Sequence, residues 1–157
     1  MKEKKLEELL ARLEASPPGD LYQPEGEMLL KILEIPGEER PDWATVFQVL
    51  SNWLGNSLRS GVWTYYEIAD PAELETTREY LEGAGQPELL EQFARGIHDY
   101  RGCPDFQYPE EWEEEADGID RWIFEQEEFL NLWLRDLLLA NREPLRALLT
   151  RGEGERP

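Results

Sequence analysis

Apolar residues recur every three or four positions through most of this chain, and this spacing restricts the folds that it can adopt. Four leucines, at positions 6, 9, 10 and 13, share one face of a first helix. Only Val62–Tyr66 has the composition of a strand, and it has no second strand to pair with. The sequence therefore predicts an all-α fold, a single compact domain of roughly six or seven helices over residues 1–150, followed by a disordered tail at 151–157.

Three further patterns position the main helices. A short second helix is predicted around Met28–Leu33. A central helix from Asp42 has a wide apolar stripe, and Asp70 followed by Pro71 is typical of a helix start. The stripe residues of the central helix are Trp43, Val46, Phe47, Leu50, Trp53 and Leu54.

The last third of the chain contains the longest predicted helix. One apolar stripe runs from Ile119 to Leu138, and Asn141 marks a bend before a last short helix. Before it, residues 103–117 are predicted to form a loop that contains three aromatic side chains, Phe106, Tyr108 and Trp112.

The chain has 35 acidic and 16 basic residues, a formal net charge of −19. Direct binding to nucleic acid needs lysine and arginine to displace counterions from phosphates, so this charge argues against it. It argues equally against binding to an anionic membrane surface, and no apolar run approaches the roughly 20 residues that span a bilayer. The sequence predicts a cytoplasmic protein, and its charge permits attraction to a basic protein, to a cation or to nothing in particular.

The scarcity of histidine and cysteine excludes several kinds of site. His98 and Cys103 are the only residues of their types, so an internal disulfide and a histidine or thiol metal cluster are excluded. His98 is interpreted as a helix-end histidine and Cys103 as a buried or half-buried thiol. We predict no metal, no cofactor and no catalysis. An enzyme that uses either residue stays an alternative, which a substrate-sized pocket containing one of them would favour.

Acidic residues are densest between positions 110 and 128, where ten acids accompany one base, Arg121. On a helix, acids three or four apart lie about 5–6 Å from each other and repel, so a surface that binds a basic partner explains this density better than solubility does. A solvated face on an acidic protein is the simpler alternative. The predicted partner-binding residues are Glu110, Glu111, Glu113, Glu114, Glu115, Asp117, Glu125, Glu128 and Trp112.

Three segments follow one another in the middle and at the end of the chain. They are residues 60–66 (Ser-Gly-Val-Trp-Thr-Tyr-Tyr), residues 78–85 continuing into 88–97, and residues 119–145. They are similar, in this order, to an Asn-Gly-Gly-Phe-x-Gln-Tyr/Phe-like segment, a following helix that ends in Gly, and a closing helix. Through these segments, residues 42–149 resemble the DNA-mimic protein family of the DMP type.

This resemblance implies an all-α domain, often dimeric, whose acidic surface imitates duplex DNA and occupies the DNA-binding face of a transcription factor or another basic protein. We therefore expect a non-catalytic binding protein, for which the resemblance makes a homodimer one possible assembly. The alternative is an immunity-type or structural interaction module that recognises its partner through the aromatic loop at 103–117.

Overall fold

The computed structural model describes residues 2–103 and 107–150, and every regular element in these ranges is helical. The predicted all-α class is confirmed, but the nine α-helices of the described residues exceed the predicted six or seven. The predicted disordered tail at 151–157 and the predicted loop residue Phe106 lie outside the described residues. The helices are α1 (Lys2–Ala15), α2 (Tyr22–Leu33), α3 (Asp42–Ser60), α4 (Trp63–Ile68), α5 (Pro71–Gly83), α6 (Pro87–Arg95), α7 (Glu110–Glu125), α8 (Glu127–Ala140) and α9 (Arg142–Thr150).

Contacts between residues group the chain into two compact units. The first unit comprises Met1–Gln48 and Glu128–Pro157, and the second unit comprises Val49–Glu127. One domain over residues 1–150 stays a prediction, since two compact units can belong to the same domain.

In the first unit, α1 packs against α2 and α9. The four predicted leucines of α1 are all buried, which confirms its apolar face. Arg146 of α9 holds Glu7 of α1 by two hydrogen bonds, of 2.5 Å from Nε and 3.0 Å from a terminal nitrogen. The hydrogen bond from Arg146 lowers the pKa of Glu7.

Helix α2 begins at Tyr22, well before the predicted start near Met28. Pro24 does not interrupt it, because a proline in the first turn of a helix has no intrahelical amide hydrogen bond to lose. The amide of Glu25 donates to the carbonyl of Leu21 at 2.9 Å, which continues the helix after the proline.

In the second unit, a buried chain of hydrogen bonds joins three helices. The Trp53 indole nitrogen of α3 donates to the Tyr66 hydroxyl of α4 at 2.8 Å, and this hydroxyl donates to the carbonyl of Phe93 in α6 at 2.7 Å. The Phe93 ring meets the Trp53 ring edge-on at 5.7 Å. Helix α6 also packs against α5 and α7. All six predicted stripe residues of α3 are buried, and three of them, Trp43, Val46 and Phe47, belong to the first unit.

The strand-like run at 62–66 is helical, since α4 begins at Trp63. Gly61 has a φ of +99°, a conformation that glycine adopts without steric cost, and it separates α3 from α4. The amide of Tyr65 then donates to the carbonyl of Val62 at 3.0 Å. Tyr65 and Tyr66 are buried, so these aromatic residues serve the core of a helical unit.

Two predictions about the last third of the chain are wrong. Residues 110–117 form the first two turns of α7, so the predicted loop ends at Pro109. The extended backbone of Pro109 (ψ 141°) precedes the helix, and acids in a first turn are favoured by the helix dipole. The predicted single helix after 119 is divided at Gln126, which ends α7 before α8 begins. The predicted bend at Asn141 is confirmed, between α8 and α9.

One carboxyl group of the first unit is buried without full hydrogen bonding. Glu25 is 5% exposed, and its Oε1 atom has no hydrogen-bond partner among the described residues. Burial raises the pKa of Glu25 from 4.5 to about 8, and the nearby Arg135 only partly opposes this shift. Glu25 is therefore mostly protonated and uncharged at neutral pH in the folded protein.

Replacing Glu25 by Gln is expected to stabilise the protein between about pH 5 and pH 8. The pKa is higher in the folded state, so the unfolded chain ionises first and stability falls as pH rises from about 4.5 to about 8. The full loss is on the order of 5 kcal/mol, and an uncharged amide removes the titration that causes it. Urea unfolding at several pH values measures the effect.

The matched control is Glu14→Gln, because Glu14 lies exposed on α1 of the same unit. It should unfold with the same pH dependence as the unmodified protein. If the free energy of unfolding of the Glu25→Gln variant changes with pH in the same way as in both other proteins, the raised pKa of a buried Glu25 is contradicted.

Candidate partner-binding surface

Most of the negative charge lies in the second unit. Residues 49–127 contain 19 acids and five arginines, hence a formal charge of −14 out of the −19 of the whole chain. This segment contains no lysine; the four lysines are at positions 2, 4, 5 and 31. The negative charge of the chain is therefore concentrated in the second unit.

The start of α7 concentrates this charge on a rigid element. Six of the eight residues from Glu110 to Asp117 are acidic. Five of the six are exposed, and none of these five forms an ion pair with a described residue. We call this set, together with Glu125 at the end of the helix, the α7 acidic face: Glu110, Glu111, Glu113, Glu114, Asp117 and Glu125.

Three predicted partner-binding residues are not part of the α7 acidic face. Glu128 belongs to the first unit, whereas the α7 acidic face belongs to the second. Glu115 is half-buried, and its Oε2 atom lies 2.6 Å from the Nε2 atom of His98. Trp112 is half-buried and stacks on the imidazole of His98, with ring centroids 4.2 Å apart and planes 8° apart.

The contact between His98 and Glu115 fastens the segment after α6 to α7. Glu115 is 17 residues away, and only the packing of α6 against α7 brings it near. No periodicity of the sequence could have indicated this pair.

Trp112 and Tyr108, the described aromatic residues of the predicted recognition loop, pack against other rings of the second unit. Tyr108 lies 4.7 Å from Trp63, and Tyr100 lies 5.3 Å from Tyr108 and 5.2 Å from Trp112 by ring centroids. Both predicted residues are half-buried, so part of each ring still meets solvent. Their packing holds the beginning of α7 in place.

Asp120 belongs to the predicted acid block but has a structural role. Its Oδ1 atom accepts hydrogen bonds from the Ser57 hydroxyl at 2.6 Å and from the Val62 amide at 2.8 Å. Its carboxylate thereby joins α7 to the end of α3 and the beginning of α4. Charge-assisted hydrogen bonds of this kind are stronger than neutral ones.

A cavity of about 550 Å³ lies in the second unit, between α4, α5 and residues 97–101. His98 lines it, which is the feature that favours the enzyme alternative. None of its described lining residues is Ser, Thr or Cys, and the hydroxyls of Tyr66 and Tyr100 donate to the backbone carbonyls of Phe93 and Gly96. The cavity thus offers His98 no free hydroxyl or thiol nucleophile.

Cys103 is half-buried and forms no disulfide. Within the described ranges, no three His, Cys, Asp or Glu side chains are arranged to hold a metal ion. Helices long and apolar enough to cross a membrane are likewise missing from the described part of the chain.

No protein-family model matches the chain, and neither does any curated protein or solved structure. The resemblance to the DNA-mimic family therefore stays a prediction.

Replacing Asp120 by Ala is expected to destabilise the protein by about 1–3 kcal/mol, since the Val62 amide and the Ser57 hydroxyl lose a charged acceptor. The matched control is Asp117→Ala on the same helix, where the carboxylate is exposed and the cost should stay within about 0.5 kcal/mol. Chemical denaturation measures both values. Equal costs would show that Asp120 does not anchor α7.

Proposed function

We propose that this protein is a non-catalytic binding protein whose α7 acidic face occupies the nucleic-acid-binding surface of a basic protein, as a DNA mimic does. The observation that carries the proposal is the run of six acids among the eight residues from Glu110 to Asp117, which lie on a helix. Five of them are exposed and form no ion pair with a basic side chain in the part of the chain that the structure describes, so their charge is available to a partner.

The linear charge density of this run is close to that of DNA. Eight helical residues extend about 12 Å, so the five exposed carboxylates give roughly one negative charge per 2.4 Å of helix axis. Duplex DNA carries one charge per about 1.7 Å. A basic surface that is shaped for phosphates therefore meets a similar charge density along α7.

The stability of α7 itself explains only part of the acidic run. Glu110, Glu111 and Glu113 lie in the first turn, where the helix dipole favours acids. Glu114 and Asp117 lie beyond it and add like-charge repulsion of a few tenths of a kcal/mol per pair. Binding to a basic partner would explain why acids occur at Glu114 and Asp117, where the stability of the helix does not favour them.

A second candidate is an interaction module that binds through Tyr108 and Trp112. The observation in its favour is that both rings keep a solvent-exposed part beside the α7 acidic face. Binding of this kind would depend weakly on salt, and it would survive neutralisation of the acids. A homodimer and a cytoplasmic location also stay predictions.

Neutralising four acids of the α7 acidic face is expected to weaken binding to basic DNA-binding domains by roughly tenfold to a hundredfold. Each exposed charge pair contributes about 0.2–1 kcal/mol. Titrations of purified DNA-binding domains at several salt concentrations measure the affinity, which should fall as salt rises. A labelled DNA duplex should compete for the same domains. The substitutions are Glu110→Gln, Glu113→Gln, Glu114→Gln and Asp117→Asn.

The control variant changes the net charge equally, but in the first unit. It should retain nearly all of the affinity if the α7 acidic face, rather than overall charge, binds the partner. Equal losses in both variants, or binding that tolerates the DNA competitor, would contradict the proposal. The control substitutions, at exposed acids, are Glu14→Gln, Glu34→Gln, Glu38→Gln and Glu39→Gln.

A further inference from the structure

The cavity between α4, α5 and residues 97–101 combines apolar and aromatic walls with charged groups. Ile68, Leu74 and Ile97 supply aliphatic surface, and Tyr66 and Tyr100 supply rings. The two rings are stacked, with centroids 6.5 Å apart and planes 26° apart. Such walls suit a ligand with an aliphatic stem.

The aromatic walls are fixed before any ligand arrives. The Tyr66 hydroxyl is held between the Trp53 indole and the carbonyl of Phe93. The Tyr100 hydroxyl donates to the carbonyl of Gly96 at 2.5 Å. Since both hydroxyls are occupied, these residues offer ring surface to a ligand, and a preorganised surface loses little entropy on binding.

The charges of the lining leave one carboxylate without a cationic partner. Arg78 pairs with Glu75 at 3.3 Å, and Arg101 pairs with Asp99 at 3.5 Å, so these four side chains balance in sign. Glu67 forms no ion pair with a described base.

Glu67 lies close to the aromatic walls. Glu67 lines the cavity together with Tyr66 and Tyr100. Burial and then the charge of Glu67 raise the pKa of the nearby Tyr108. A carboxylate accepts several hydrogen bonds, so Glu67 keeps acceptor sites for a ligand.

We propose that this cavity binds an arginine side chain of the basic partner, with the guanidinium at Glu67 and the stem along Ile68, Leu74 and Ile97. This inference rests on the proposed function and names a contact that the α7 acidic face does not make. A cation suits the site because the second unit carries a charge of −14 and because aromatic rings attract cations. An anion would be attracted only to arginines that already have carboxylate partners.

The probe is N-acetyl-arginine amide, titrated into the intact protein while backbone amide NMR signals are followed. Signals of Ile68, Ala69, His98 and Tyr100 should shift, since these residues line the cavity. N-acetyl-citrulline amide has nearly the same shape without the charge and should bind at least about tenfold more weakly. Equal binding of both probes, or preferential binding of N-acetyl-glutamate amide, would overturn the proposal.

Glu67→Gln should weaken arginine binding by about tenfold, because a charged hydrogen bond becomes a neutral one. The matched control is Glu79→Gln on α5, which removes the same charge from an exposed position outside the cavity. It should leave the affinity unchanged. Equal effects of the two substitutions would show that the probe senses only the overall charge.

The two proposals can fail separately, because one is tested with DNA-binding domains and the other with a single amino-acid probe. Shifts confined to α7 would support the α7 acidic face and overturn the cavity site. If the probe binds in the cavity but Glu67→Gln leaves the affinity for the partner unchanged, the proposal that the cavity binds an arginine of the partner is overturned. Loss of affinity in both assays supports it.

Discussion

The second unit depends on the hydroxyl group of Tyr66. This one group accepts a hydrogen bond from α3 and donates one to α6, so it links three helices through a buried site. A phenylalanine here would leave the Trp53 indole and the Phe93 carbonyl without this partner, and buried unpaired groups are costly. Gly96 allows the arrangement, because a Cβ atom there would lie 2.3 Å from the Tyr66 ring.

The same link also positions the surfaces that carry the proposed function. It fixes one aromatic wall of the cavity, and the packing of α6 on α7 places His98 against Trp112 and Glu115. The acids at the start of α7 thus lie on a helix that is held in place by three kinds of group. These are the aromatic rings, the imidazole of His98 and the carboxylate of Asp120. A rigid display matters because charges that are already arranged lose less entropy when a partner binds.

Local patterns in the sequence predicted most of the helices, whereas contacts between residues far apart in the chain could not be predicted from them. The leucines of α1 and the stripe of α3 follow helical spacing, and Asp70 caps α5 by accepting from the Ala72 amide. The start of α7 was missed because its first turns contain acids and little apolar periodicity. The break at Gln126 was missed because the apolar stripe continues through it.

The candidate site was predicted in part, for the same physical reason. Charge density along the chain indicated the acids of α7, most of which are exposed, and their role in binding stays a prediction. It could not identify Glu115 as the neighbour of His98, nor the burial of Glu25, since both depend on which helices meet. The cavity assembles residues from three separate stretches of chain and left no sign in the sequence.

The absence of lysine from residues 49–127 has a practical and a biological consequence. Reagents that acylate primary amines can attach the protein to a surface only through amino groups of the first unit, which leaves the side chains of α7 and of the cavity chemically unmodified. By the same chemistry, lysine acetylation or ubiquitin conjugation cannot modify the second unit. These modifications of lysine therefore cannot change the charge of the second unit.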